Sequence, residues 1–201
     1  MRYQFRGDQG ATVPQDGDEV TINKTGQLRF LRRKKPLLIC NWDTNEAFPA
    51  YETYLADRNV IEAIAFAAFV SLLTDKPLCY IGEDPGPIYR FRIAEKDPDC
   101  RTKVHFQFKE NGRHIVLRTG DQFTFDPDKG TVSFMRHGIR WTIHDIDKLE
   151  KDTLCELRAK PLERPHVEAL AGVFSLLSNI PVHLVSRPDR TYLYVFGTAH
   201  S

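Results

Sequence analysis

The sequence has few cysteines, and their positions fit no structural motif. Four cysteines occur among 201 residues, with no Cys-x-x-Cys pair and no accompanying histidine pattern. Structural zinc sites and disulfide frameworks depend on such spacings, so neither is predicted. We expect reduced and mostly buried thiols at these positions, which are Cys40, Cys79, Cys100 and Cys155.

The sequence also lacks a long apolar run. The longest, residues 60–73, is interrupted by Glu62 and is shorter than the roughly 20 residues that cross a bilayer. Residues 1–6 alternate polar and apolar side chains, which does not fit a signal peptide. These observations predict a soluble protein that stays in the cytoplasm and has no membrane partner.

Neither sign of charge dominates. The chain has 28 basic and 27 acidic side chains, and its formal net charge is +1. A balanced chain has no global field that attracts nucleic acid or an anionic membrane. Electrostatic binding would therefore require a local cluster of charge.

Motifs of common enzymes are missing as well. The sequence contains no Walker loop, no Gly-x-Gly-x-x-Gly turn, no Gly-x-Ser-x-Gly elbow and no His-Glu-x-x-His helix. Their absence weakens nucleotide-binding and hydrolase interpretations. It also leaves no basis for predicting a cofactor or a metal.

What the sequence does contain is an internal repeat. From Gly26/Gly130 to Pro77/Pro181, matching residues recur at a separation of 104 positions. The matches include Phe30/Phe134, Arg32/Arg136, Ile39/Ile143, Asp43/Asp147 and Ser71-Leu72-Leu73 against Ser175-Leu176-Leu177. Upstream the separation is 103, as in Tyr3-Gln4-Phe5 against Phe106-Gln107-Phe108 and Gly17-Asp18 against Gly120-Asp121. A tandem duplication explains this order of matches.

Periodicity within each half predicts an α+β fold. Alternating apolar residues, at 3–5, 20–22 and 28–30 in the first half, predict an antiparallel β-meander. Two helices should follow. The first begins at Asp43-x-x-Glu46 or Asp147-x-x-Glu150, which have capping-box spacing. The second covers about 60–74 or 165–178, and a β-hairpin ends each half.

The duplication also predicts the domain organisation. Residues 1–97 form the first repeat, residues 98–103 a polar linker with a proline, and residues 104–201 the second repeat. The helix at 60–74 is apolar almost all round, so we expect it to be buried between its sheet and its counterpart. The two repeats should then pack about a pseudo-twofold axis.

Two basic hairpins are the strongest candidates for binding residues. The first carries Arg29, Arg32, Arg33, Lys34 and Lys35, and the second carries Arg136, His137 and Arg140. Paired basic ribbons can contact the phosphates of a duplex without reading its sequence. The alternative is that cationic hairpin tips keep strand edges soluble and prevent aggregation.

All seven histidines lie in the second repeat. His114, His137 and His144 fall on neighbouring predicted strands, where histidines could serve acid–base chemistry. The alternative is drift at surface positions, because the first repeat has Thr12, Arg33 and Cys40 instead.

A duplicated scaffold without a catalytic motif favours binding over catalysis. We predict a non-enzymatic cytoplasmic protein that acts through protein–protein contacts, as an inhibitor, immunity protein, adaptor or phage-encoded antagonist does. The alternative is a sequence-independent nucleic-acid-binding protein that uses the two basic hairpins. An enzyme with a histidine-containing site in the second repeat is the weaker alternative, and the oligomeric state stays open.

Overall fold

The fold is mostly β. A computed structural model describes residues 1–23, 25–52, 60–86, 88–126, 131–148, 150–152, 155–156, 164–188 and 191–197. These residues contain two helices, α1 (Val60–Thr74) and α2 (Arg164–Ser178). Each of these helices has 15 residues, so neither can cross a membrane.

Strands dominate the described part of the first half. They are β1 (Tyr3–Gly7), β2 (Gly10–Thr12), β3 (Glu19–Asn23), β4 (Gln27–Arg32), β5 (Lys35–Pro36), β6 (Leu38–Asn41), β7 (Glu46–Phe48), β8 (Tyr51–Glu52), β9 (Leu78–Asp84) and β10 (Ile88–Ile93). Side chains alternate between the core and the surface along β10 and along most of β4. The alternation in the sequence therefore identified strands correctly.

The described part of the second half repeats this series. Its strands are β11 (Thr102–Val104), β12 (Phe106–Glu110), β13 (Arg113–Ile115), β14 (Gln122–Asp126), β15 (Thr131–Arg136), β16 (Ile139–Arg140), β17 (Thr142–Asp145), β18 (Glu150–Asp152), β19 (Cys155–Glu156), β20 (Val182–Ser186) and β21 (Tyr192–Phe196). Only β11 has no counterpart among the described strands of the first half.

The strands form four antiparallel sheets in a propeller-like ring. In the first half, sheet A has the order β2-β1-β6-β7, and sheet B has the order β11-β9-β10-β3-β4-β5 with β8 paired to β4. In the second half, sheet C has the order β13-β12-β17-β18, and sheet D has the order β16-β15-β14-β21-β20 with β19 paired to β15. The halves thus share one strand order, to which β11 is added.

The prediction of an α+β fold with two helices in each half is wrong. The segments at Asp43 and Asp147 are turns, and they lead into β7 and β18. The Asn41 side chain accepts the amide of Asp43 (2.9 Å), and the Asp145 side chain accepts the amide of Asp147 (3.1 Å). This is Asx-turn geometry, which uses the same residue types as a helix cap. The Asp-x-x-Glu spacing could not distinguish the two structures.

The predicted meander is also wrong. β1 does not pair with β3; it pairs with β2 and β6, while β3 pairs with β4 and β10. The hairpins β9–β10 and β20–β21 form as predicted, but each one extends the sheet that contains β3 or β14. Alternation shows that a strand is half-buried, but it does not specify the partner strand.

Matched aromatic pairs join the two sheets within each half. Phe5 of sheet A lies 4.5 Å from Phe30 of sheet B, measured between ring centroids. Phe108 of sheet C lies 4.5 Å from Phe134 of sheet D. All four rings are almost completely buried. The repeated phenylalanines in the sequence are therefore the equivalent core contacts of the two halves.

The two helices pack against each other. The rings of Phe69 in α1 and Phe174 in α2 lie 6.2 Å apart. α1 buries a nearly continuous set of apolar side chains, as a helix surrounded by protein should. The prediction that α1 is buried against its counterpart is therefore confirmed.

Matched hydrogen bonds connect each helix to the other half. Ser71 Oγ of α1 accepts the amide of Phe106 at 2.9 Å, and Ser175 Oγ of α2 accepts the amide of Tyr3 at 3.0 Å. Both serines are completely buried. The helix of each half thus supplies a serine that accepts the first amide of a strand in the other half, which is β12 for Ser71 and β1 for Ser175.

The halves also exchange backbone pairing. β11, which precedes sheet C, pairs with β9 of sheet B, with Val104 opposite Leu78. At the equivalent position, Met1 and Val182 exchange two backbone hydrogen bonds of 2.8 and 2.9 Å. The segment predicted to be a linker therefore contributes Thr102 and Lys103 to a sheet. The domain boundaries themselves stay a prediction.

Candidate binding surfaces

The two predicted basic hairpins share one turn geometry. Arg33 and Lys34 join β4 to β5 with φ values of 51° and 66°, and His137 and Gly138 join β15 to β16 with φ values of 47° and 78°. Two successive left-handed residues match the twist of the flanking strands. Arginine and lysine adopt this conformation less readily than glycine.

Arg32 is held inside the first half. Its Nε and Nη2 donate to the two carboxylate oxygens of Asp18 at 2.9 and 2.8 Å. Nη1 donates to Thr12 Oγ1, and Nη2 also donates to the carbonyl of Val13, both at 2.8 Å. The hydrogen bonds that Arg32 donates to Asp18 raise the pKa of Arg32. These contacts occupy the guanidinium, although it was predicted to contact phosphate.

Arg136 makes the equivalent contacts in the second half. Its Nε and Nη2 donate to Asp121 at 2.6 and 2.8 Å, and Nη2 also donates to the carbonyl of Val116 at 2.9 Å. The guanidinium lies 4.8 Å from the centre of the buried Trp141 ring. The sequence carried a signal for this pair, because Gly17-Asp18 and Gly120-Asp121 match in the repeat.

The other predicted residues are exposed. Arg33, Lys34 and Lys35 lie together at the tip of the first hairpin, and Arg29 lies on β4, where it donates to Gln27 at 2.8 Å. His137 and Arg140 are exposed at the second hairpin. Each hairpin therefore keeps a cationic tip after its inner arginine is paired with aspartate.

The three candidate histidines do not converge. His114 lies on β13, where its Nε2 is 2.8 Å from Asp75 Oδ1. His144 lies on β17 with Nε2 3.0 Å from Thr142 Oγ1. His137 belongs to the hairpin of sheet D. Among the described residues, no group of three histidine, cysteine or acidic side chains could hold a metal ion.

Sheet A carries an exposed apolar surface that the sequence analysis missed. Because Phe5 and Ile39 face the core, the alternate residues of β1 and β6 point outwards. Trp42 is 54% exposed and Leu38 is 39% exposed. The Arg2 guanidinium lies 5.3 Å from the centre of the Trp42 ring. We call this surface the Trp42 face; it comprises Arg2, Gln4, Arg6, Ala11, Leu38, Cys40, Trp42 and Ala47.

The equivalent surface of sheet C is mostly polar. Leu38, Cys40 and Trp42 correspond to Thr142, His144 and Ile146 at the separation of 104. The outward residues of β12 are Gln107 and Lys109. The cores of the two halves match, but these two faces do not. The signal in the sequence was the period of two in Leu38, Cys40 and Trp42, which the helix predicted at Asp43 obscured.

Ion pairs cover part of the outward face of sheet B. Glu19 accepts hydrogen bonds from Arg90 and Arg92, both at 3.0 Å, and Arg92 also donates to Asp97 at 2.7 Å. Burial alone would raise the pKa of Glu19, but the two arginines outweigh it and lower the pKa. The arginines of this face are therefore neutralised by neighbouring carboxylates.

A cleft of about 390 Å³ lies between the halves. Its lining is mostly apolar, and the hydroxyl of Tyr51 donates to the carbonyl of Ala169 in α2 at 3.0 Å. A Cβ on Gly172 would lie 1.9 Å from that hydroxyl. α1 has Ala68 at the position of Gly172, so the glycine makes room for Tyr51. The lining residues are Met1, Tyr3, Phe48, Ala50, Tyr51, Pro165, Glu168 and Ala169.

Comparison with known proteins supplies no relative. No protein-family model matches the chain, and no curated protein or solved structure matches it. The function is therefore argued from the geometry of these surfaces.

Proposed function

We propose that the protein binds a protein partner through the Trp42 face and has no catalytic role. One observation carries the proposal: the fold occurs twice in the chain, and among the described residues of the two equivalent sheets, exposed tryptophan and leucine occur on sheet A and not on sheet C. Sheet C has the same strand order with polar residues at most of these positions. The fold therefore does not require an apolar outward face.

The composition of the Trp42 face supports a protein partner. Tryptophan and arginine are the residues most enriched in the energetic centres of protein interfaces. Here the Arg2 guanidinium lies over the Trp42 ring, 5.3 Å from its centre, which is within cation–π range. Arg2 and Arg6 are the charged residues among those that define the face. A partner with an apolar centre and acidic groups around it would match this surface.

Site-specific photocrosslinking in the producing cells tests the proposal. A photoreactive amino acid replaces Gln4 on the Trp42 face, and the matched control replaces Gln107 on sheet C. We expect one defined protein adduct from position 4 and none from position 107. Equal labelling at both positions, or no adduct at position 4, would contradict the proposal.

The adduct protein then allows a direct measurement. Trp42→Ala should weaken its binding by about 30-fold or more, since the loss of an interface centre costs roughly 2 kcal/mol. Because Trp42 is half-exposed, the melting temperature should change little. Ile146→Ala is the matched control on sheet C and should leave the affinity unchanged.

The second candidate function is sequence-independent nucleic-acid binding through the hairpin tips. The supporting observation is that Arg33, Lys34 and Lys35 remain exposed at one tip, and His137 and Arg140 at the other hairpin. Each phosphate contact releases counterions, so binding should weaken steeply with salt.

A triple Arg33→Ser, Lys34→Ser, Lys35→Ser variant tests this second candidate. Arg32 is left unchanged, because its substitution would break the ion pair with Asp18 and confuse binding with stability. Salt-dependent binding to short duplexes that is lost in the variant would support the candidate. Equal binding by the variant would refute it.

A further inference from the structure

The cleft between the halves has the size of a small-molecule site. Its volume of about 390 Å³ lies within the range of about 300–1,000 Å³ in which proteins bind small ligands. Three aromatic side chains of the first half line one side, and the first two turns of α2 line the other. The Trp42 face lies on the outward side of sheet A, so the proposed function does not use this cleft.

Strand pairing directs the aromatic side chains into the cleft. Tyr3 alternates in step with the buried Phe5 along β1, and Phe48 of β7 pairs with the buried Ile39. Both therefore lie on the inward side of sheet A. The rings of Tyr3 and Tyr51 lie 5.2 Å apart between centroids, with their planes at 90°. Phe48 is 38% exposed, so a ligand that enters from solvent can reach all three rings.

Glu168 adds a carboxylate to this aromatic lining. It lies in the second turn of α2 and is half-buried. Among the described residues that line the cleft, it carries the only charged side chain. Its counterpart in α1, at the separation of 104, is Ile64. The repeated fold therefore accepts an apolar side chain at this position and does not require the carboxylate.

Further negative charge lies near Tyr3. Burial raises the pKa of the Tyr3 hydroxyl, and the carboxylates of Asp43 and Glu46 act in the same direction. Met1 also lines the cleft, but its ammonium lies 3.7 Å from Asp43 Oδ2, which balances that positive charge. On the other side, Pro165 has no amide hydrogen that the start of α2 could offer to an anion. These surroundings favour a positively charged ligand.

We propose that the cleft binds a small organic cation, whose quaternary ammonium group lies against the aromatic rings and is balanced by Glu168. A quaternary ammonium group has no N–H to donate, and it is attracted to the faces of aromatic rings within about 6 Å of their centres. A primary ammonium group would instead need acceptors for three hydrogens, and the lining is mostly apolar. The aromatic lining therefore selects the methylated group.

Choline is the probe for this site, because a neutral analogue of the same shape exists. In that analogue a tert-butyl group replaces the trimethylammonium group. Saturation-transfer NMR with the whole chain measures weak binding of both compounds. We expect choline to bind at least about five-fold more tightly than the analogue, since only choline gains the attraction of the rings and the carboxylate.

Two variants locate the site. Glu168→Gln keeps the shape of the side chain but removes its charge, so the affinity for choline should fall towards that for the analogue, whose own binding should not change. Phe48→Ala should weaken choline binding more than binding of the analogue. Glu83→Gln is the matched control, because Glu83 is exposed on β9 and is not among the described residues that line the cleft. It makes the same change in net charge and should bind choline like the wild-type protein.

Four results would overturn the proposal. Equal binding of choline and its analogue would show that the cleft accepts apolar groups whatever their charge. An absence of choline binding would exclude a quaternary ammonium site. Unchanged affinity in both Glu168→Gln and Phe48→Ala would place the binding elsewhere. An equal loss in Glu83→Gln and Glu168→Gln would show that choline responds to the net charge of the protein. Thermal melts of each variant confirm that a loss of binding is not a loss of folding.

Discussion

Substitution of the two buried aspartates should affect the two halves unequally. Asp121→Asn and Asp18→Asn each preserve the shape of the side chain but remove the charge that pairs with an arginine. The Arg136 side chain is 10% exposed, while the Arg32 side chain is 26% exposed. Water can therefore solvate Arg32 better than Arg136 after its partner is neutralised.

The expected magnitudes follow from that difference in exposure. Breaking a buried ion pair by removing one partner costs about 3–5 kcal/mol, and this range applies to Asp121→Asn. For Asp18→Asn we expect roughly 2–3 kcal/mol, because hydrogen bonds to charged groups are worth about 1.5–3 kcal/mol each. Arg32 also keeps its contacts with Thr12 and Val13.

Urea denaturation followed by circular dichroism measures both costs. The free energy of unfolding should fall more for Asp121→Asn than for Asp18→Asn, with an unchanged dependence on urea. A cost below 0.5 kcal/mol for Asp121→Asn, on the order of an ordinary surface substitution, would refute the reasoning. So would a larger cost for Asp18→Asn, because it would show that exposure does not control the loss.

Three further predictions concern stability. The pKa of Glu19 is lowered in the folded state, so its contribution to the free energy of unfolding should be complete above the ordinary glutamate pKa, about 4.3. That contribution should be lost as the pH falls through the folded pKa. Glu19→Gln should therefore flatten the acid denaturation curve, and an unchanged curve would contradict this. Ser71→Ala and Ser175→Ala should each lower the free energy of unfolding, measured in urea, by about 1–3 kcal/mol, since each leaves the amide of a half-buried strand residue without its acceptor; a cost near zero would indicate another acceptor. Gly172→Ala should lower the melting temperature. Adding Tyr51→Phe should restore part of the loss, because it removes the hydroxyl that lies nearest to the new Cβ. No recovery in thermal melts of the double variant would exclude the clash with that hydroxyl as the cause.

The sequence correctly predicted the two helices, which depend on residues close together in the chain. Helix α2 was predicted at 165–178 and is found at Arg164–Ser178, and α1 was predicted at 60–74 and is found at Val60–Thr74. An apolar segment of about 15 residues is longer than most strands, so its length favours a helix. The turns at Asn41 and Asp145 were misassigned, because helix caps and Asx turns use the same side-chain chemistry.

The binding role of the basic hairpins stays a prediction, and the surroundings of their residues were predicted only in part. Arg33, Lys34 and Lys35 are exposed, as a hairpin tip requires, but Arg32 points inwards to Asp18. Neighbouring residues on a strand face opposite sides, and the sequence did not show which side the sheet would bury. Trp42 was missed because its exposure depends on how β1 and β6 pair.

Taken by itself, the sequence determined the two repeats, the two long helices and the alternation of the strands, because these follow from residue order and local periodicity. Only the tertiary structure decided which strands pair, which arginines are neutralised and which sheet face stays apolar and exposed. Those outcomes depend on contacts between residues far apart in the chain, such as Ser71 with Phe106 and Ser175 with Tyr3. The spacing of apolar residues along a strand shows which of its faces is buried. Which strand it pairs with depends on how the whole core packs.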